Sequence, residues 1–402
     1  VIDIDIPPIV RFERQGGGKE AINKAAKLLS EAKFPVILSG AGVVIGDAID
    51  DCKNLAEKLD APVCSGYQHN DSFPGSHPLA VGPLGYNGSK AAMQLISKAD
   101  VVLALGTRLN PFSTLPGYGI DYWPKNANII QVDINPDRIG LTKKVTVGIA
   151  GDAKQVAKQI LEKLSSNAGD KGREDRKNLI HQTKSGWLQT LTSLDHEDDD
   201  PGTVWNKEAR ERDKDRMSPR QAWRAIQAAM PEDVIISSDI GNNCAIGNAY
   251  PTFEKSRKYL APGLFGPCGY GFPSILGAKI GCPNTPVIGF AGDGAFGISM
   301  NEMSSCARKE WPAITMVIFR NYQWGAEKRN SILWFNDNFV GTELDPELSY
   351  AKVANACGLK GVTVKTMEET TKAIKQSCED QKKGITTFIE IVLNQELGEP
   401  FR

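Results

Sequence analysis

The chain has 402 residues, 41 % of them hydrophobic and 24 % charged, with 47 lysines and arginines against 48 aspartates and glutamates. That composition excludes a collagen, a disordered chain and a coiled coil, and it leaves no basic surplus to neutralise a nucleic-acid backbone. Apolar runs such as Val101–Leu105 and Ile314–Phe319 fall far short of the roughly 20 residues of a membrane helix, so a soluble protein is expected.

In chain order, Ile22, Ala25, Ala26 and Leu29 repeat at helical spacing within Lys19–Lys33, and Pro35-Val-Ile-Leu-Ser39 then reads as a buried strand. Ile49, Cys52, Ala56 and Leu59 form a second helical stripe, followed by the short run Ala61–Ser65. Ala92, Ile96 and Ala99 form a third, which leads into a strand at Val101–Leu105, with another strand at Ile129–Asp133. Residues 166–216 differ: Asp170–Lys177, Glu197–Asp200 and Lys207–Arg216 are mixed-sign charge runs around one helix near Ile180–Leu191. They read as a solvated connection. Alternation resumes with a helix at Pro219–Met230 and strands at Asp233–Ser237 and Pro286–Phe290. A helix near Met300–Lys309 follows, then a strand at Ala313–Phe319, a helix near Met367–Asp380 and a last strand at Thr386–Val392. The fold class expected is α/β, with two doubly wound parallel-sheet domains at 19–165 and 217–402 joined by a charged linker.

The eight cysteines (Cys52, Cys64, Cys244, Cys268, Cys282, Cys306, Cys357 and Cys378) include no C-x-x-C pair and no accompanying histidine cluster. Free thiols in a reducing compartment are expected, not a zinc site or a disulfide framework.

Ligands of open α/β sheets bind outside the carboxyl ends of the strands. Ala291-Gly-Asp-Gly-Ala295 follows one strand, and Arg320-Asn-Tyr-Gln-Trp-Gly325 follows the next. The helix between them is expected to begin at Ser299-Met-Asn-Glu302, which fits a capping box. Asp293 and Asn321 lie one strand–helix–strand unit apart. If their strands are neighbours, a carboxylate and an amide oxygen converge on one point, a hard oxygen pair suited to Mg²⁺ with phosphate and water completing its shell. Glycines beside Asp293 would let a phosphate approach the backbone.

This pattern resembles the thiamin-diphosphate fingerprint of the acetolactate synthase and pyruvate decarboxylase superfamily, with Arg320 standing where a first Asn is usual. Gly266-Pro-Cys-Gly-Tyr-Gly-Phe-Pro273 stands where relatives carry the loop that bends the cofactor, with Cys268 in place of a larger apolar residue. Ser238-Asp-Ile-Gly-Asn-Asn-Cys244 matches the diphosphate loop. The resemblance implies thiamin diphosphate held by Ile240, Gly241, Asn242 and Asn243, by Gly266 and Cys268, by Gly292, Asp293, Gly294 and Ala295, and by Asn321, Gln323, Trp324 and Gly325. It implies Mg²⁺ on Asp293, Asn321 and the main-chain oxygen of Gln323.

Tyr67–Leu79, Gly82–Gly88 and Asp133-Ile-Asn-Pro136 resemble the superfamily's central domain. That domain carries FAD or ADP in some relatives, but a lone Gly40-Ala-Gly42 is weak evidence for a dinucleotide, and a structural role is expected for the domain and for His69 and His77. Residues 1–18 are read as the linker from a preceding pyrimidine-binding domain that the sequence lacks. The superfamily's activating glutamate lies in that domain, so this chain alone is expected to be inactive, and the full-length protein to be a homodimer or homotetramer.

Gly294–Trp311 and Asn321–Ser331 resemble the branch that cleaves sulfoacetaldehyde with inorganic phosphate to acetyl phosphate and sulfite, in cytoplasmic taurine and sulfonate breakdown. Substrate, leaving group and acceptor are all oxyanions. Arg320, Lys328, Arg329 and Asn330 are therefore candidates to bind them, Arg329 foremost because guanidinium is the better oxyanion fork. On this reading Arg329→Leu raises the KM for either anion before it affects cofactor binding. The alternatives are acetolactate synthase or another 2-oxoacid carboligase and, in a different class, a non-catalytic nucleotide-binding or regulatory module.

Overall fold

A computed structural model describes residues 13–193, 213–263, 265–335, 338 and 340–397. In the first half, β1 (Pro35–Ser39), β2 (Val63–Ser65), β3 (Ala80–Pro83), β4 (Val101–Leu105), β5 (Asn128–Asp133) and β6 (Val147–Ala150) form one sheet in the order β3-β2-β1-β4-β5-β6. Every pairing is parallel. All five residues of β1 and of β4 are buried, as strands covered by helices on both faces must be. The helices are α1 (Lys19–Glu31), α2 (Ala41–Ile45), α3 (Ile49–Leu59), α4 (Lys90–Ile96), α5 (Ala153–Lys163) and α6 (Arg173–Ser193). The stripe Ile22, Ala25, Ala26 and Leu29 is the buried face of α1, and Cys52, Leu55, Ala56 and Leu59 that of α3.

The second half repeats the architecture. Strands β7 (Ile235–Ser238), β8 (Tyr259–Leu260), β9 (Val287–Gly292), β10 (Thr315–Arg320), β11 (Lys360–Val364) and β12 (Thr387–Val392) lie in the order β11-β12-β10-β9-β7-β8, again all parallel. Among its helices are α7 (Pro219–Ala229), α8 (Asn242–Ile246), α9 (Gly271–Gly281), α10 (Asp293–Ser299), α11 (Met303–Cys306), α12 (Gly325–Trp334), α13 (Tyr350–Ala356) and α14 (Met367–Lys382). Trp223 of α7 is fully buried, with ring centroids 4.7 Å from Phe290 of β9 and 5.3 Å from Phe319 of β10. Its indole Nε1 donates to the main-chain oxygen of Asn243 at 2.7 Å, so one core residue fixes both the sheet and the start of α8. Among the described residues no helix is long and apolar enough to cross a membrane, and all eight cysteines are unpaired thiols.

Two expectations change. The helix after β9 does not begin at Ser299 with a capping box. It begins at Asp293, tightens to a 3-10 turn over Met300–Glu302, and resumes at Met303, while the Ser299 hydroxyl has no partner among the described residues. The charged stretch after residue 165 is not simply solvated either. Arg176 is 1 % exposed and donates to five carbonyls: Nε to Asp60 (2.8 Å), Nη1 to Lys33 (2.7 Å) and Lys171 (2.9 Å), and Nη2 to Leu59 (2.9 Å) and Gly169 (2.6 Å). Ile180 and Trp187 of the same helix are also buried. The charge runs at 197–200 and 207–212 lie outside the described residues.

The segment from Gln68 to Tyr86 joins the two sheets. Asp71 Oδ2 accepts from the amides of Lys258 (3.0 Å) and Tyr259 (3.2 Å) at β8. Asn70 Nδ2 donates to the carbonyls of Asn248 (2.9 Å) and Pro251 (2.7 Å), and Asn248 Oδ1 accepts from the Gln68 amide at 3.1 Å. His77 sits 3.2 Å from Glu57 and edge-on to Phe73, and burial pushes the His69 imidazole down to about 4, which keeps it neutral.

Arg176→Leu is expected to strand these carbonyls and lower the stability by about 2–4 kcal/mol, read as a lower urea midpoint.

Candidate active site

At the carboxyl end of β7 the chain turns at Asp239, which is fully buried. Asp239 Oδ1 accepts from the amides of Ile240 (2.8 Å) and Gly269 (3.2 Å), and Oδ2 accepts from that of Gly271 (2.7 Å). One carboxylate thus staples the 266–271 loop to the 239–243 loop, and burial raises its pKa against those amides. Gly241 has φ +120°, and a Cβ there would meet nothing within 4 Å. The strand–turn–helix passage leaves the backbone bare.

β9 and β10 are direct neighbours, with Gly292 paired to Phe319. This places Asp293 beside the 320–322 turn. Its Oδ2 accepts from the Tyr322 amide (2.7 Å) and from Arg320 Nη1 (2.9 Å), and Oδ1 accepts from the Gly294 amide (3.0 Å). Tyr322 reaches this position through a left-handed φ of +62°. The Tyr350 hydroxyl donates to the Asp293 carbonyl at 2.9 Å. Burial pushes the Asp293 carboxyl up to about 6, with the Arg320 charge and the amide bonds working against it.

These loops enclose a cavity of about 160 Å³. Its wall contains Ile240, Gly241, Asn242 and Asn243; Gly266 and Cys268; Gly292, Asp293, Gly294 and Ala295; and Asn321, Gln323, Trp324 and Gly325, joined by Ala326 and Glu327. All the residues expected at the cofactor from the sequence therefore share one space. Burial raises the Cys268 thiol, so the residue faces that space as a neutral group. Asn243 Oδ1, Asn321 Nδ2 and Gln323 Oε1 are buried without a hydrogen-bond partner among the described residues, a set of orphaned polar atoms that a polar ligand would satisfy. A Cβ on Gly292 would meet nothing within 4 Å, whereas one on Gly294 would lie 2.8 Å from the Trp324 indole. Among the described residues no three His, Cys, Asp or Glu side chains cluster as metal ligands, so any ion here would rest on Asp293 with amide, main-chain and phosphate oxygens.

The candidate oxyanion binders lie outside that wall. Arg320 bonds Asp293 and the carbonyls of Asp345 and Leu348. Lys328 is ion-paired with Glu343. Arg329 is 2 % exposed, with its guanidinium carbon 4.6 Å from the Tyr86 ring centroid and Nη1 donating to the Tyr86 hydroxyl. Asn330 is exposed. The spacing placed these residues near the loop, but Arg329's partner lies in the first half of the chain, where no local signal points to it.

For the same reason the sequence did not point to Tyr86, which comes from the first sheet's half. Its hydroxyl donates to Asn242 Oδ1 at 3.1 Å, and Asn242 Nδ2 donates to the Gly325 carbonyl at 3.1 Å. Arg329, Tyr86, Asn242 and Gly325 thus form one chain ending in the cavity wall. Asp239 could have been found in the sequence, since it follows the β7 strand directly, as Asp293 follows β9.

Comparison with known proteins came to the same region. Residues 22–160 match the family model for the thiamine pyrophosphate enzyme central domain, and residues 239–391 that for the C-terminal TPP binding domain. A probable sulfoacetaldehyde acetyltransferase of Rhizobium meliloti is 77 % identical over all of this chain and 68 % of its own length. The sulfoacetaldehyde acetyltransferase of Castellaniella defragrans is 49 % identical over all of this chain and 67 % of its own. A probable acetolactate synthase large subunit of Methanococcus aeolicus is 29 % identical over 90 % of this chain and 59 % of its own.

Tyr86→Phe breaks the link between the two halves at Asn242. Thermal unfolding is expected to show a loss of about 1–3 kcal/mol. Arg329→Leu is expected to lower stability and, through Tyr86 and Asn242, to weaken cofactor binding, as titration and melting of one preparation would show.

Proposed function

Because the chain belongs to the thiamine pyrophosphate enzymes, we propose that it is a thiamin-diphosphate- and Mg²⁺-dependent acyltransferase that converts sulfoacetaldehyde and phosphate to acetyl phosphate and sulfite. The observation that carries this reading is the single cavity in which Asp293, Asn321 and Gln323 meet the glycine loops that end β7 and β9. The relatives named above for that activity match along the whole of this chain, whereas the carboligase relative is distant. The overall reaction balances without an oxidant: the carbon–sulfur bond breaks, sulfite departs with its electron pair, and the acetyl group passes to a phosphate oxygen.

In this reading Ile240, Gly241, Asn242 and Asn243 hold the diphosphate, with bare backbone at Gly241 admitting its oxygens. Main-chain groups of Gly266 and Cys268 hold the pyrimidine, and Asp239 keeps their loop in register with the diphosphate loop. Asp293, Asn321 and the main-chain oxygen of Gln323 hold the ion. Asn321 Nδ2, a buried donor without a partner among the described residues, would gain a phosphate oxygen. The cofactor, when bound, supplies a thiazolium carbon that can act as nucleophile and electron sink. Asp293 must be ionised to serve, and the Arg320 charge and the Tyr322 and Gly294 amides favour that form in a buried place. The setting proposed is the cytoplasm, in taurine and sulfonate degradation, with a homodimer or homotetramer as the working assembly.

The test is sulfite release from sulfoacetaldehyde in phosphate buffer by the whole protein. Acetolactate from pyruvate, with no sulfite released, would make it a carboligase instead. Asp293→Asn is expected to remove divalent-dependent cofactor binding. The ion needs the carboxylate ionised, and protons compete below the Asp293 value of about 6. Apparent Mg²⁺ affinity is therefore expected to fall about tenfold per pH unit below that point and to level off above it, as calorimetry across pH 5–8 would show.

A further inference from the structure

Arg320 ends β10 and is 1 % exposed. Its Nη1 donates to Asp293 Oδ2 at 2.9 Å, and its Nη2 donates to the carbonyls of Asp345 and, at 3.0 Å, Leu348. The guanidinium carbon lies 4.2 Å from the Tyr322 ring centroid and 5.4 Å from that of Tyr350, and Nε lies 3.7 Å from Glu390 Oε1. Glu390 is itself held, by the Ser349 hydroxyl (2.6 Å), the Tyr350 amide (3.2 Å) and the Thr363 hydroxyl (3.1 Å). A guanidinium anchored on so many sides has one geometry, and the carboxylate it grips inherits it.

Asp293 Oδ2 already takes two donors, Arg320 and the Tyr322 amide, whereas Oδ1 takes only the adjacent Gly294 amide. We propose that Arg320 is a positioning residue for the divalent-metal site, fixing Asp293 so that Oδ2 faces the protein and Oδ1 is presented to the ion. The inference rests on the metal-dependent reading above and names the residue that makes its ligand ready. A cation beside a metal ligand would by itself repel the ion. Here Glu390 offsets it: two carboxylates against one guanidinium leave a negative charge for the metal. Arginine suits the position because its planar fork can bond a carboxylate and two carbonyls while lying against aromatic rings. Lysine offers a point charge without the fork, and glutamine offers neither the charge nor the reach.

The experiment titrates Mg²⁺ into the whole protein at saturating thiamin diphosphate, following the fluorescence of Trp324 in the cavity wall or the heat of binding. Melting temperature is read separately. Arg320→Gln is expected to raise the Mg²⁺ half-saturation at least tenfold, and Arg320→Lys to recover part of the loss. A wild-type half-saturation in Arg320→Gln overturns the proposal, whatever happens to its melting temperature. If the glutamine variant does not fold, Arg320→Lys decides: a several-fold rise supports the proposal, and an unchanged value overturns it. Absence of any Mg²⁺ dependence in the unmutated protein would sink the metal reading itself and this inference with it. That failure is distinct, because it appears before any substitution is made.

Discussion

A carboxylate taken out of water has to be met by donors and by opposite charge, and Asp293 is met by both. Two amides and a guanidinium converge on it because β9 and β10 run parallel and adjacent, so that the turn after one strand lies beside the end of the other. Move either strand and Asp293 is a buried, unmatched charge. The arrangement is maintained from beneath by Trp223, which packs on Phe290 and Phe319 of the same two strands and bonds the Asn243 carbonyl at the start of α8. Core packing and site geometry are therefore one problem.

Charge matching recurs in the second half of the chain. Arg320 is shared between Asp293 and Glu390, Lys328 is paired with Glu343, and Arg220 is paired with Glu396 at 2.9 Å in a fully buried setting. Pairs buried on both sides, as Arg320–Asp293 and Arg220–Glu396 are, add little net stability over well-packed apolar residues, but breaking one leaves a charge stranded. What they provide is definition: each loop end has one place to go. The first half of the chain joins the same network through Tyr86, so the cavity wall depends on a residue from beyond its own sheet.

Much of this was legible in residue order. Strands with continuous apolar runs (β1, β4, β5, β9, β10 and β12) and helices with a clean stripe (α1, α3, α7) are found where periodicity put them, because burial on both faces, or on one, writes itself into local sequence. The weakly marked strands were not anticipated. β8 has two residues, β6 alternates buried and exposed at a sheet edge, and Lys360–Val364 of β11 is mostly half-buried. The helix start at Asp293 was misplaced because Ser299-Met-Asn-Glu302 has the letters of a capping box. In fact the chain enters the helix straight from the strand, and no cap is needed where Asp293 itself sits at the first turn.

By itself the amino-acid order determined the parallel α/β class, the family resemblance and the loop residues that face the cavity, since each depends on neighbours within a few positions or on one crossover length. Tertiary structure alone decided what the charged residues do. Arg320, Lys328 and Arg329 look in sequence like cations awaiting an anion, and only the folded chain brings Asp293, Glu343 and Tyr86 to them. The reason is physical: apolar periodicity is a local property, whereas the partner of a buried charge is set by whatever distant segment folding packs against it.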